Sequence, residues 1–195
     1  MRLLCRTSSV ENVEPVQKNL DVLSKRFRDL IRDLLELDFD HEDRGHLEGV
    51  SVWEVLAQAM DLLKQSFESK KLSISFVKPD FPLILYEKEQ DVFQMFYNVL
   101  LNSCESIGPL GGQISIVVDH GGGYIDILIQ DTGCGIPEAK LATLFVNGTF
   151  GKPGGSGYGL KIVKQLANRL GGEVSVKSVR EQGTQFLFRF PKRLS

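Results

Sequence analysis

The sequence predicts an α+β fold: a two-layer sandwich with helices on one face of a mixed, mostly antiparallel sheet, preceded by a heptad-patterned helix. Three observations carry this expectation. From residue 51 onward, stretches of helical period alternate with stretches of strand period, and helices this mixed with strands fit a layered sandwich. Residues 12 to 37 place Val13, Val16, Leu20, Leu23, Phe27, Leu30, Leu34 and Leu37 at a 3-4-3-4-3-4-3 spacing, the seam of one helix lying along another. The 19 glycines, many in short clusters, punctuate the chain between the periodic stretches.

Bulk properties narrow the class. A chain of 195 residues, 42% hydrophobic and 25% charged, has room for one globular domain and an extension. The net charge of −2 offers no broad basic field for nucleic acid. No apolar run approaches the roughly 18 to 20 residues of a membrane span, and MRLLCRTSSV lacks the apolar core of a signal peptide. Cys5, Cys104 and Cys134 are scattered, odd in number and without zinc-like spacing, which fits a reducing, cytoplasmic setting.

Taken in order, residues 1 to 38 are expected to be a partial helical dimerisation segment, pairing into a homodimer through 12 to 37. Residues 39 to 50 are polar, contain two glycines and read as a linker. A domain is expected from 51 to 195. A helix is predicted over 51 to 69, because Ser51 with Glu54 forms a capping box and Trp53, Leu56, Ala57, Met60, Leu63 and Phe67 recur at helical spacing. Leu72, Ile74 and Phe76 alternate with polar residues as in a strand. Pro79 and Pro82 precede a short apolar run, Leu83 to Tyr86.

The stretch from 87 to 112 reads as one long helix ending near Gly108-Pro109. It is mostly apolar, yet Gln94, Asn98, Asn102 and Glu105 fall on a single stripe. Two carboxamides at i, i+4 on a buried helix suit a ligand or a metal ion; they equally suit unsatisfied backbone groups. A hairpin follows, with strands around Ile114 to Val118 and Tyr124 to Ile129 joined at Gly121 to Gly123. After a turn-rich DTGCGIP (131 to 137), a short helix is predicted over 138 to 146. Residues 147 to 157 are too glycine-rich for regular structure. A helix from Tyr158 to Leu170 stops at Gly171-Gly172, and strands over 173 to 178 and 184 to 190 close the chain.

Two motifs carry chemistry. Asp131, Gly133 and Gly135 stand just after a strand, where a carboxylate can accept from an exocyclic amine and glycines admit a close approach. Taken alone, this pattern is also common turn chemistry. Gly155, Gly157 and Gly159 run directly into a helix, so free N–H groups and the positive dipole end could face phosphate. The pattern is neither the dinucleotide fingerprint nor a Walker P-loop.

In order, QMFYNVLLNSCESI, DTGCGIP, LFVNGTF and GGSGYGL, followed by GGEVSV and GTQFLFRFP, resemble the N, G1, divergent F and G2 boxes of the catalytic, ATP-binding domain of sensor histidine kinases. The resemblance spans roughly 51 to 192 and extends to the wider group with gyrase B-type ATPases, mismatch-repair ATPases and heat-shock chaperones. It implies ATP and Mg2+ as cofactors. Asn102 matches the magnesium ligand and Asn98 would support it. Asp131 matches the acceptor of the adenine amino group, with Gly133 and Gly135 against the base and Thr184 nearby. Gly155, Gly157, Gly159 and Leu160 would frame the phosphates. Lys152 is either a phosphate contact or a solvated lid charge.

Gyrase-like ATPases carry a water-polarising glutamate where this chain has Asn98, so the resemblance favours transfer or simple binding over hydrolysis, with no side chain assigned as catalytic. Glu105 stands where many sensor kinases have a basic residue; it resembles the nitrogen-regulation branch and could act through magnesium or water. The lid lacks the usual proline and paired phenylalanines after Leu144-Phe145, and Tyr158 replaces a common leucine. Residues 12 to 37 resemble the second helix of the family's dimerising hairpin and contain no histidine; His41-Glu42 lies after the seam. The acceptor histidine is therefore expected upstream or on a partner, with a response regulator as the other partner. A non-catalytic adaptor of the same fold, or a protein serine kinase, is the alternative.

Overall fold

The computed structural model describes residues 49–77, 79–146 and 159–192. The seam at 12 to 37, the linker up to residue 48, the lid from 147 to 157 and Tyr158, where the next helix was expected to begin, lie outside the described residues.

The first described element is a strand where the linker was expected to end: β1 covers Gly49–Ser51. Ser51 closes β1 and caps α1 (Val52–Leu62), its hydroxyl accepting from the Glu54 N–H at 3.4 Å. The single helix predicted over 51 to 69 is two, because α1 ends at Leu63 and α2 runs Lys64–Ser69. Leu63 adopts φ −90°, ψ 0° and is 3% exposed, while Leu62 beside it is 67% exposed. Burying Leu63 against the core resets the helical phase there, an effect periodicity alone does not register.

β2 (Leu72–Phe76) alternates as predicted. The short run after Pro82 becomes β3 (Ile84–Tyr86), which pairs antiparallel with β1 in a separate two-stranded sheet. The polar-striped helix is α3 (Glu89–Ser106), two residues shorter at its end than predicted. It is the crossover from β2 to β4 (Gly112–Gly121), which pairs with β2 in parallel. β4 and β5 (Tyr124–Asp131) form the predicted hairpin around Gly122-Gly123. α4 is a single turn, Glu138–Leu141, rather than a helix to 146; turns occupy 142 to 146. α5 (Gly159–Arg169), β6 (Glu173–Val179) and β7 (Gly183–Pro191) complete the order.

The main sheet runs β2-β4-β5-β7-β6, parallel between β2 and β4 and antiparallel elsewhere. This is the expected α+β architecture with a mixed, mostly antiparallel sheet. Alternate residues of the central strands point to the helices: Ile114 and Ile116 on β4, Ile125, Ile127 and Ile129 on β5, Phe186, Phe188 and Phe190 on β7, all buried. Phe96 of α3 meets Phe188 edge-on, ring centres 5.3 Å apart. α3 lies between α1 and α5, in contact with both. Its last turn therefore sits over the end of β5, and that junction positions the site.

Candidate functional site

The core-facing alternation of β5 ends on a carboxylate. After Ile125, Ile127 and Ile129, the next inward position is Asp131, 2% exposed. An unpaired buried carboxylate is costly, and this one is met by donors from three directions. Its Oδ1 accepts from the Gly133 N–H at 2.8 Å and the Ser106 hydroxyl at 3.0 Å, and its Oδ2 accepts from the Ser103 hydroxyl at 3.2 Å. Burial pushes the carboxyl above the ordinary aspartate value, and the hydrogen bonds from Gly133, Ser106, Ser103 and the Thr184 backbone oppose that rise. Across the sheet, Asp131 is flanked by Ile114 on β4 and Thr184 on β7.

The loop after Asp131 is clamped on both sides. The Cys134 N–H donates to the Ser106 carbonyl at 3.0 Å, and the Cys134 carbonyl accepts from the Glu181 N–H at 2.8 Å. The Ile136 N–H donates to the Ser178 hydroxyl at 2.7 Å, and Ser178 Oγ lies 3.0 Å from Thr184 Oγ1. The two predicted glycines are both required. A Cβ on Gly133 would lie 1.9 Å from Ser106 Oγ; one on Gly135 would lie 2.1 Å from the Val179 carbonyl, at φ +66°. Asp131, Gly133, Gly135 and Thr184 thus converge at one end of the sheet.

A second convergence joins α3 and α5. Asn98 is 3% exposed, and its amide oxygen packs on Gly159 at the start of α5, 3.2 Å from where a Cβ would stand. Among the described residues, the Asn98 Nδ2 has no hydrogen-bond partner, a deficit worth about 1–3 kcal/mol. Asn102, one turn further along the same stripe, is half-buried, whereas Glu105 is exposed. The stripe thus spans three environments. Leu160 is half-buried in the first turn of α5. Lys152, Gly155 and Gly157 lie outside the described residues.

Sequence reasoning missed the residues that hold Asp131. Ser103 and Ser106 form a second polar stripe, one residue behind Asn102 and Glu105, and a three-residue offset on a buried helix was the available signal. Lys70 was also missed. Its Nζ donates to the Cys104 and Ile107 carbonyls at 2.6 and 3.1 Å, capping the C-terminus of α3 just where the serines sit. Cys104, buried in that turn, has its thiol pushed up to about 12 by burial, so it is a neutral packing group.

Comparison with known proteins bears on this geometry. Residues 87–194 match the family described as histidine kinase-, DNA gyrase B-, and HSP90-like ATPase. The chain is 34% identical over 109 residues to a probable C4-dicarboxylate sensor kinase of Bacillus subtilis, covering 54% of this chain and 20% of that protein. It is 28% identical over 180 residues to the sensor histidine kinase WalK of the same organism, covering 86% and 29%. The chain thus spans under a third of the length of these two relatives. Among solved structures, it resembles the mycobacterial sensor histidine kinase MprB, with a TM-score of 0.65 at 23% identity over 76% of this chain and 99% of that one. It also resembles full-length ShkA in complex with AMPPNP, with a TM-score of 0.71 at 22% identity over 95% and 40%.

Proposed function

Because the chain belongs to the family of histidine kinase-, DNA gyrase B- and HSP90-like ATPases, we propose that it binds Mg-ATP and delivers the γ-phosphate to a histidine supplied upstream or by a partner. It would act as the catalytic portion of a two-component sensor histidine kinase. The observation that carries this reading is the buried Asp131 carboxylate, held as an acceptor beside the glycine loop at the end of the central strand. Such a group suits the amino donor of adenine. The AMPPNP complex of ShkA supports the same choice of ligand.

In this reading Gly133 and Gly135 let the base lie against the backbone, and Thr184 flanks it. Gly155, Gly157, Gly159 and Leu160 would frame the phosphates, and Asn98 Nδ2, unpaired among the described residues and packed beside the start of α5, provides a buried donor for an anion. Lys152 would serve as a phosphate contact. Asn102 would supply a carboxamide oxygen to magnesium, and Glu105 would act through the metal or its waters. A hard cation of this size keeps several waters and needs few protein ligands. Among the described residues, no cluster of three or more His, Cys, Asp or Glu side chains offers a competing site. Magnesium, when bound, neutralises charge on the phosphate oxygens.

Asn98 occupies the position where a hydrolase would need a base for water. Transfer to an imidazole needs positioning and charge stabilisation rather than such a base. Residues 1 to 38 supply the dimer seam through 12 to 37, residues 39 to 50 link it, and residues 51 to 195, with β1 just ahead, form the ATP-binding part. A response regulator is the partner downstream, as the structure of ThkA in complex with TrrA, similar to this chain, supports. The cytoplasm is the proposed setting, and no described helix is long and apolar enough to cross a membrane.

The test is transfer of label from γ-labelled ATP, with magnesium, to a histidine-bearing dimerisation helix. Acid-labile, base-stable label is the expected product. Acid-stable label would point to a serine kinase instead, and ATP binding without any transfer would leave the adaptor reading.

A further inference from the structure

Asp131 is fixed by two hydroxyls that the nucleotide reading does not use. Ser103 and Ser106 stand three residues apart on the last turn of α3, so both face the end of β5. One reaches Oδ2 and the other Oδ1. Ser103 is 1% exposed and has no solvent to turn towards. Ser106 also lies 2.8 Å from the Ser103 carbonyl, so its single proton is shared between helix backbone and carboxylate. Gly133 completes the set with an N–H that can only donate.

A carboxylate offers roughly four acceptor positions. Three are taken by these donors at 2.8 to 3.2 Å, with the Thr184 backbone a further, weaker donor. Oδ1 could carry the acid proton only by weakening the Gly133 bond and turning the Ser106 hydroxyl wholly to the Ser103 carbonyl. Oδ2 could do so only if Ser103 reversed its hydroxyl. The arrangement therefore presents acceptors alone to whatever lies beside it.

Resting on the ATP reading above, we propose that Ser103 and Ser106 set the base specificity of this site. They are positioning residues that keep Asp131 an all-acceptor group, so the pocket takes a purine with an amino donor at C6 and rejects one with a carbonyl there. A 6-oxopurine would set its carbonyl oxygen against carboxylate oxygen with no hydrogen between them, leaving buried acceptors unpaired. Without the two hydroxyls, the carboxylate loses both its fixed direction and the donors that hold its charge. The preference for the amino group then weakens while shape and phosphate contacts persist.

The experiment measures binding of ATP and of inosine triphosphate, each with magnesium, to the full chain as wild type and as Ser103→Ala, Ser106→Ala and the double variant. The ATP-to-inosine-triphosphate preference is expected to fall about tenfold in the double variant, the loss lying in ATP affinity. A merely structural role would weaken both nucleotides together and leave their ratio intact. A ratio that falls less than about threefold, corresponding to well under a typical charged hydrogen bond, overturns the role of the serines while leaving the ATP site standing. Wild type that binds neither nucleotide overturns the ATP reading and this inference with it.

Discussion

Asp131 concentrates the residue-scale consequences. Asp131→Asn keeps the shape but replaces one acceptor oxygen by a donor, which would face Ser106, Ser103 or the base. ATP affinity is expected to fall by roughly 10- to 100-fold, the range for a lost charge-assisted hydrogen bond, as read by calorimetric titration. Stability should respond to pH in a defined direction. Burial, opposed by the bonds from Gly133, Ser106, Ser103 and Thr184, leaves the folded-state carboxyl above its ordinary 3.8. A proton thus favours the folded state: that contribution is complete below 3.8 and is lost as pH rises through the folded value. Wild type should lose stability relative to Asp131→Asn as pH rises from about 3 to about 7 in denaturant titrations. At this scale the sequence was legible where one residue type has few uses. Asp131 before two glycines, and Asn98 with Asn102, stood out. Ser103 and Ser106 did not, because a serine in a helix has many bland roles and only the fold shows which strand end it faces.

α3 is the element on which the site depends, since its body packs against α1 and α5 and its end holds Asp131. Lys70 joins that end to the segment before β2 through two carbonyls. Lys70→Met is expected to cost about 1–2 kcal/mol, the worth of a charged C-terminal cap, measured by urea unfolding, and to weaken ATP binding less than Asp131→Asn does. The clamped loop is less tolerant. Gly135→Ala combines positive φ with a Cβ 2.1 Å from the Val179 carbonyl, so a loss of roughly 1–3 kcal/mol or more is expected, with ATP binding abolished. Elements whose burial is one-sided were readable from period alone: β2, the β4–β5 hairpin, α5 and the final two strands. The break at Leu63 was not, because phase resets when a tertiary contact outweighs helical continuity. The pairing of β1 with β3 was not either, because a three-residue strand has no period to detect.

At the scale of the molecule, one core and one seam are expected to be separable. Phe188, fully buried against Phe96 and beside Phe190, belongs to the core, and Phe188→Ala should cost about 3–5 kcal/mol and lower the melting temperature of the ATP-binding part. If residues 12 to 37 pair as proposed, charges in the heptad, as in Leu23→Glu with Leu30→Glu, are expected to shift sedimentation from dimer to monomer while ATP binding persists. The α+β class was legible because helical and strand periods alternate from residue 51 onward; the parallel placement of β2 beside β4 was not, since nothing local encodes which strand a crossover returns to. One end of this sheet, walled by α3, is the proposed Mg-ATP site. Calorimetric titration of the full chain with ATP and magnesium tests it most directly. Saturable binding below millimolar ATP is expected for wild type, with a marked loss in Asn102→Ala when magnesium is present and in Asp131→Asn whether or not it is. No binding by wild type at millimolar ATP, or equal binding by all three proteins, would contradict the claim.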